Sequence, residues 1–271
     1  MRFGFIGDIV GRIGRELVRD FLPQIKSEYG LDCVIANGEN ASHGFGLGVN
    51  AANELRSYGV DIFTSGNHIW DKKDIYPFLE KEESAILRPH NYPKDVMGSG
   101  IYKGEIRGER FAVLNLMGYF GMPQCENAFI CAKESVEKLR NEGIRNILID
   151  FHAEATSEKR AMLMMLKGEV SAIFGTHTHV GTDDLEIFSG TFGVSDVGMS
   201  GARESVIGME AKEPIEKFLK GVGGRFNVPE KKGIPSILQM IVVELENGKC
   251  KEAYKIKVVD RGEVKITLRA Y

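Results

Sequence analysis

Short apolar runs, each closed by a glycine- or asparagine-containing turn, alternate along the first hundred residues with stretches whose apolar positions recur every three or four residues. Residues 3–6 predict a buried strand that stops at Gly7-Asp8. Leu17, Val18, Phe21, Leu22 and Ile25 share one helical face and predict a helix over 15–29, which Pro23 is expected to bend or divide. A second strand is expected over 33–36, ending at Asn37-Gly38-Glu39-Asn40, and a helix over 50–58. A third strand over 62–64 ends at Gly66-Asn67-His68, and a helix over 71–83 would place Asp71 and Asp74 at its positive N-terminal end. Strand, loop and helix in repetition favour parallel pairing with right-handed crossovers.

The pattern changes in the middle of the chain. Residues 100–107 and 110–116 alternate like two antiparallel strands around Gly108-Glu109. A helix over 128–141, a strand over 146–151 ending at His152, a helix over 157–166 and a strand over 170–174 ending at Gly175-Thr176-His177-Thr178-His179 return to the α/β rhythm. Near the end, 236–246 and 249–259 flank Asn247-Gly248, a strong hairpin signal. This hairpin (about 236–259) is expected to close the chain as an exposed edge serving stability or a homo-oligomer contact. With no repeat and no Pro- or Ser-rich linker, one domain over 1–271 is the economical expectation.

Composition adds three exclusions. The 32 glycines in 271 residues sit in short turns and form no repeat. Thirty-five basic and 38 acidic residues, well mixed to a net charge of −3, exclude an extended nucleic-acid track; the Lys231-Lys232 pair and Arg225 are too few to build one. No apolar run approaches the ~20 residues of a membrane span. The absence of an early signal-like segment and of CxxC spacing among Cys33, Cys125, Cys131 and Cys250 leads us to expect a cytoplasmic protein with reduced thiols.

The candidate chemistry is positional. Five expected strands end in loops that carry metal-competent side chains: Asp8, Glu39 with Asn40, Asn67 with His68, His152, and His177 with His179. In open α/β sheets, ligands bind beyond the carboxyl ends of the strands, so these groups would converge on one rim. Oxygen and imidazole donors in mixture suit Fe, Mn, Zn or Co better than Ca or a thiolate-bound metal. A carboxylate such as Glu39 can bridge two ions ~3.5–4 Å apart, the arrangement used on phosphate esters. Gly7, Gly11 and Gly14 do not keep the G-x-G-x-x-G spacing of a dinucleotide loop, and neither Ser65 nor Ser195 lies in a nucleophile elbow. The Gly44–Gly48 loop can line the pocket, Arg12 and Arg203 can meet a phosphate, and His43 and His90 belong to no motif.

Gly7-Asp8, Gly38-Glu39-Asn40, Gly66-Asn67-His68, His152 and Gly175-Thr-His177-Thr-His179 resemble the calcineurin-like metallophosphoesterases. Two departures, Asp8-Ile9-Val10 without the usual histidine and Gly-Glu-Asn for Gly-Asp, narrow the resemblance to the YmdB-type 2′,3′-cyclic-nucleotide phosphodiesterase family. So do Asp150-Phe-His152-Ala-Glu154-Ala-Thr-Ser-Glu158-Lys and Asp196-Val-Gly198-Met. The resemblance implies a four-layer αββα sandwich with mixed sheets. It also implies two transition-metal ions, iron with manganese as the alternative, and hydrolysis of small cyclic nucleotides at the 2′ bond to 3′-nucleotides. One metal would take Asp8, Glu39, Asn40 and His179, the other Glu39, Asn67, His152 and His177, with His68 as the general acid. A phosphomonoesterase or nucleotidase of the same fold is the first alternative reading; a non-catalytic nucleotide- or RNA-binding regulator is the second.

Overall fold

The computed structural model describes residues 1–231 and 233–271; Lys232 of the Lys231-Lys232 pair lies outside the described residues. The first half of the chain forms β1 (Arg2–Ile6), α1 (Gly11–Glu28), β2 (Cys33–Asn37), α2 (Val49–Ser57), β3 (Ile62–Thr64), α3 (Tyr76–Leu79), β4 (Ile101–Ile106), β5 (Glu109–Met117) and α4 (Ala128–Asn141). Next come β6 (Asn146–His152), α5 (Thr156–Leu166), β7 (Ala172–Thr176), β8 (Glu186–Phe188), β9 (Thr191–Val194) and β10 (Gly201–Ala202). The chain continues through α6 (Lys212–Lys220), β11 (Ser236–Glu246), β12 (Lys249–Val259) and β13 (Lys265–Arg269).

Two mixed sheets result. The first runs β13-β12-β11-β1-β2-β3, with β10 also on β11; β1, β2 and β3 are parallel and β11 is antiparallel to β1. The second runs β4-β5-β6-β7-β9-β8, with β5, β6, β7 and β9 parallel between antiparallel outer strands. Period-two alternation builds the layers. Phe3, Phe5 and Ile35 of the first sheet meet Phe111, Val113, Leu148 and Phe174 of the second, and the Phe5 and Phe174 rings stack at 4.3 Å. Ile6, Met240 and Ile256 face the other way, onto Leu17, Val18, Leu22 and Ile25 of α1. Leu114, Ile147, Ile149 and Ile173 pack on Leu139 of α4 and on Met162, Leu163 and Leu166 of α5. Helix, sheet, sheet, helix: this is the four-layer αββα sandwich expected from the resemblance.

Several local expectations are corrected. α1 is continuous through Pro23, because that residue lies on the exposed face while Leu17, Leu22 and Ile25 hold the other face to the sheet. Residues 71–83 form short 3-10 turns around α3 in place of one helix. Asp74 instead accepts a hydrogen bond from the Val49 N–H at the start of α2, at 3.0 Å, and Asp71 bonds His68. The 236–259 hairpin is no edge. β11 lies between β1 and β12, and β13 pairs with β12 and takes the outer position. Ile256 and Val258 are accordingly buried in the core. Among the described residues, no helix is long and apolar enough to cross a membrane.

Candidate metal centre

All five loops singled out above leave the carboxyl ends of parallel strands, and the two sheets bring them to one rim. From the first sheet come Asp8 after β1, Glu39 and Asn40 after β2, and Asn67 and His68 after β3. From the second come His152, the last residue of β6, and His177 and His179 after β7. The rim is stitched across the sheets: the His177 N–H donates to Asp8 Oδ2 at 3.2 Å, and Asn37 Nδ2 to Asp150 Oδ2 at 3.0 Å.

One cluster centres on His152. Its Nε2 lies 3.0 Å from Glu39 Oε1, 3.3 Å from Asn67 Oδ1 and 3.1 Å from His177 Nδ1. Donor atoms of Glu39, His152 and His177 fall within 4.8 Å of one another, a spacing that suits a metal ion. Gly66 makes the approach possible, since a Cβ there would come within 2.1 Å of the His152 ring. A second set gathers around Asp8, which is fully buried. Its Oδ1 stands 3.7 Å from His179 Nε2. Among the described residues, that oxygen and the buried Asn40 Oδ1 receive no hydrogen bond. Buried acceptors without donors are costly unless a cation satisfies them, so this donor set fits a metal ion.

The other nitrogen of each histidine is held in turn, which orients its free lone pair. His179 Nδ1 donates to the Ile207 carbonyl at 2.7 Å, leaving Nε2 toward Asp8. His177 Nε2 faces Glu154 Oε2 at 3.1 Å, leaving Nδ1 toward His152. Left-handed φ values of 97° at His177 and 65° at His179 send the two rings to different clusters. The turn is held from beneath by Asp196, which accepts from the Thr178 N–H at 3.1 Å, the Thr178 hydroxyl at 2.8 Å and buried Lys159 at 2.9 Å.

Electrostatics follow burial and pairing. Burial raises Asp8, and His179 and His152 oppose that shift. Burial would also raise Glu39, but the charge and hydrogen bond of His152 take it to about 2. His152 is pushed down by burial, yet Glu39 lifts it to about 9. Burial, helped by His152, drops His177 to about 3. Burial raises Asp150 to about 7, with the charge of His152 pulling the other way. Perturbed groups gathered at one cleft mark a functional site.

His68 stands at the edge of this arrangement. Its N–H donates to Glu39 Oε2 at 3.0 Å, its Nδ1 lies 2.9 Å from Asp71 Oδ2, and its ring meets Phe45 edge-on at 5.0 Å. Phe45 brings the Gly44–Gly48 loop to the rim, and the Gly44 carbonyl accepts from Asn40 at 3.0 Å. Other candidates lie elsewhere: Arg12 pairs with Glu16, Arg203 with Asp260, and His43 is exposed. Sequence reading assigned no role to Asn37, Lys159 or Thr176, and gave Asp71 only that of a helix-end charge. One signal was present: Asp150 and His152 interrupt the apolar run Ile147-Leu-Ile-Asp-Phe-His.

An αββα sandwich with this order of ligand-type residues at its rim defines a calcineurin-like metallophosphoesterase. The fold alone is shared with a 5′-nucleotidase precursor from Thermus thermophilus, at a TM-score of 0.52 and 11% identity over 96% of this chain and 54% of that one. The sequence model of the YmdB-like protein family matches residues 5–258, and the chain belongs to that family. It is 39% identical over 258 residues, 95% of this chain and 96% of the other, to a 2′,3′-cyclic-nucleotide 2′-phosphodiesterase of Bacillus subtilis (strain 168). It is also similar to the crystal structure of a novel phosphatase from Mycoplasma pneumoniae, with a TM-score of 0.89 and 34% identity over 96% and 93% of the two chains.

Proposed function

We propose that the chain, acting as one metallophosphoesterase unit over 1–271, is a di-metal phosphodiesterase that hydrolyses 2′,3′-cyclic nucleotides at the 2′ bond to give 3′-nucleotides. The observation that supports this reading is the cluster of Glu39, His152 and His177 at the same rim as buried Asp8 and His179, and we assign the donors to two sets. Asp8, Asn40 and His179 form one set, Asn67, His152 and His177 the other, and Glu39 is the carboxylate assigned to both. Iron is the expected metal, with manganese accepted by the same donors. When bound, the two ions supply positive charge for the phosphoryl oxygens and acidify water. The free cysteines support a reducing, cytoplasmic setting.

The chain's own residues account for the rest. Hydrolysis adds water across the P–O2′ bond: phosphorus keeps the hydroxyl and O2′ leaves with a proton. His68 gives that proton. Asp71 holds its Nδ1, leaving Nε2 to deliver it, the arrangement in which a carboxylate orients a ring that exchanges its proton on the other nitrogen. The histidine need not be a permanent ligand, because its backbone rather than its ring contacts Glu39. The test is metal analysis of anaerobically purified protein beside a substrate panel. Two metals per chain and preference for 2′,3′-cyclic nucleotides, with 3′-nucleotide as product, are expected. Preference for phosphomonoesters would support the nucleotidase reading, and no turnover by dimetallated protein the regulator reading.

A further inference from the structure

Asn37, Asp150 and Thr176 are fully buried polar side chains that have no part in the reaction described above. They stand on three strands and two sheets: Asn37 ends β2, Asp150 lies in β6 and Thr176 ends β7. Their hydrogen bonds form one directed chain. The Glu39 N–H donates to Asn37 Oδ1 at 3.2 Å, which fixes the amide so that Nδ2 donates to Asp150 Oδ2 at 3.0 Å. The Thr176 hydroxyl donates to Asp150 Oδ1 at 2.7 Å. Its oxygen lies 2.9 Å from His152 Nδ1, nearer than Asn37 Nδ2, which stands 3.4 Å from that ring nitrogen and 3.5 Å from the Thr176 hydroxyl oxygen. A hydroxyl has one proton, already given to Asp150, so toward the ring it can only accept.

We infer that Asn37, Asp150 and Thr176 form a buried clamp between the two sheets that holds His152 as its Nδ1–H tautomer and presents Nε2 to the metal site. The inference rests on the assignment of His152 as a metal ligand. These three are positioning residues. Each sheet carries part of the donor set, so the spacing between Glu39 and His152 depends on how the sheets lock at this rim. The clamp begins at the Glu39 backbone and ends at the His152 ring, and so ties the two together. Partners of ligating histidines typically matter 10–100-fold in metal affinity.

The experiment uses the full chain and zinc ions. Calorimetric titration of metal-free wild type, Thr176→Val and Thr176→Ser reads the two sites. We expect Thr176→Val to weaken zinc binding roughly 10–100-fold at one site and leave the other unchanged, and Thr176→Ser to restore it. Unchanged affinities in Thr176→Val, even with a lower melting temperature, would mean that the threonine only fills space and would overturn the inference. Should Thr176→Val fail to fold, nitrogen-15 NMR of zinc-loaded wild type decides. A protonated Nδ1 with zinc on Nε2 of His152 supports the clamp, and zinc on Nδ1 overturns it. Wild type that binds no zinc would overturn the functional reading as well, whereas two bound zincs with the wrong tautomer defeat this inference alone.

Discussion

Glu39 faces His152 with one carboxylate oxygen and the His68 N–H with the other, and the proposed function assigns it to both metal positions. Glu39→Ala should therefore lower metal content at both sites, whereas Asp8→Asn should weaken mainly the site shared with Asn40 and His179. Metal analysis of the two purified variants checks this, and equal losses in both would contradict it. His68→Ala should keep both metals and lose ~10²–10⁴-fold in kcat on a cyclic nucleotide. A p-nitrophenolate ester, whose leaving group needs no proton, should lose far less; equal loss on both substrates would refute the acid role. These positions were legible in the sequence because ligand-type side chains directly after apolar strands are rare without a site. Their supports were not. Asp71 read as a helix-end charge, and Thr176 read as one residue of the turn after the 170–174 strand, because only the folded chain brings its hydroxyl to His152.

Elements were legible in proportion to their length and regularity. α4, the β4–β5 pair and the 236–259 strands have strong periods or an Asn-Gly turn, and the structure places them at or near the expected residues. β8, β9, β10 and β13 are two to five residues long, too short for periodicity to separate them from loop. The loop after β7 depends on the buried Lys159–Asp196 pair. Removing one member of such a pair leaves the other charge uncompensated, at a typical cost of about 3–5 kcal/mol. Asp196→Ala should lose stability on that scale in urea denaturation, together with affinity at both sites, since His177 and His179 flank Thr178. Loss of stability with normal metal binding would free the loop of that role. The β11–β12 pair was misjudged as an edge because nothing local announces that β13 folds back over it. Ile256→Asp, expected from an edge position to change only solubility or oligomer size, should instead unfold the protein, since it buries a charge beside α1. A folded, soluble variant would show that the sheet order tolerates that charge.

At the scale of the whole molecule, neither sheet carries a complete donor set. Of the proposed ligands, the first sheet supplies the oxygen donors Asp8, Glu39, Asn40 and Asn67, and the second the nitrogen donors His152, His177 and His179. The aromatic layer around Phe5 and Phe174 fixes the separation of the sheets, and the Asn37–Asp150 contact closes it at the rim. The central claim is that this closure creates two adjacent metal positions joined by one carboxylate. The most direct measurement is an anomalous-difference map from crystals of metal-loaded protein. Two peaks ~3.5–4 Å apart are expected, with Glu39 between them, Asp8, Asn40 and His179 on one, and Asn67, His152 and His177 on the other. A single peak, or peaks remote from Glu39, would contradict the claim.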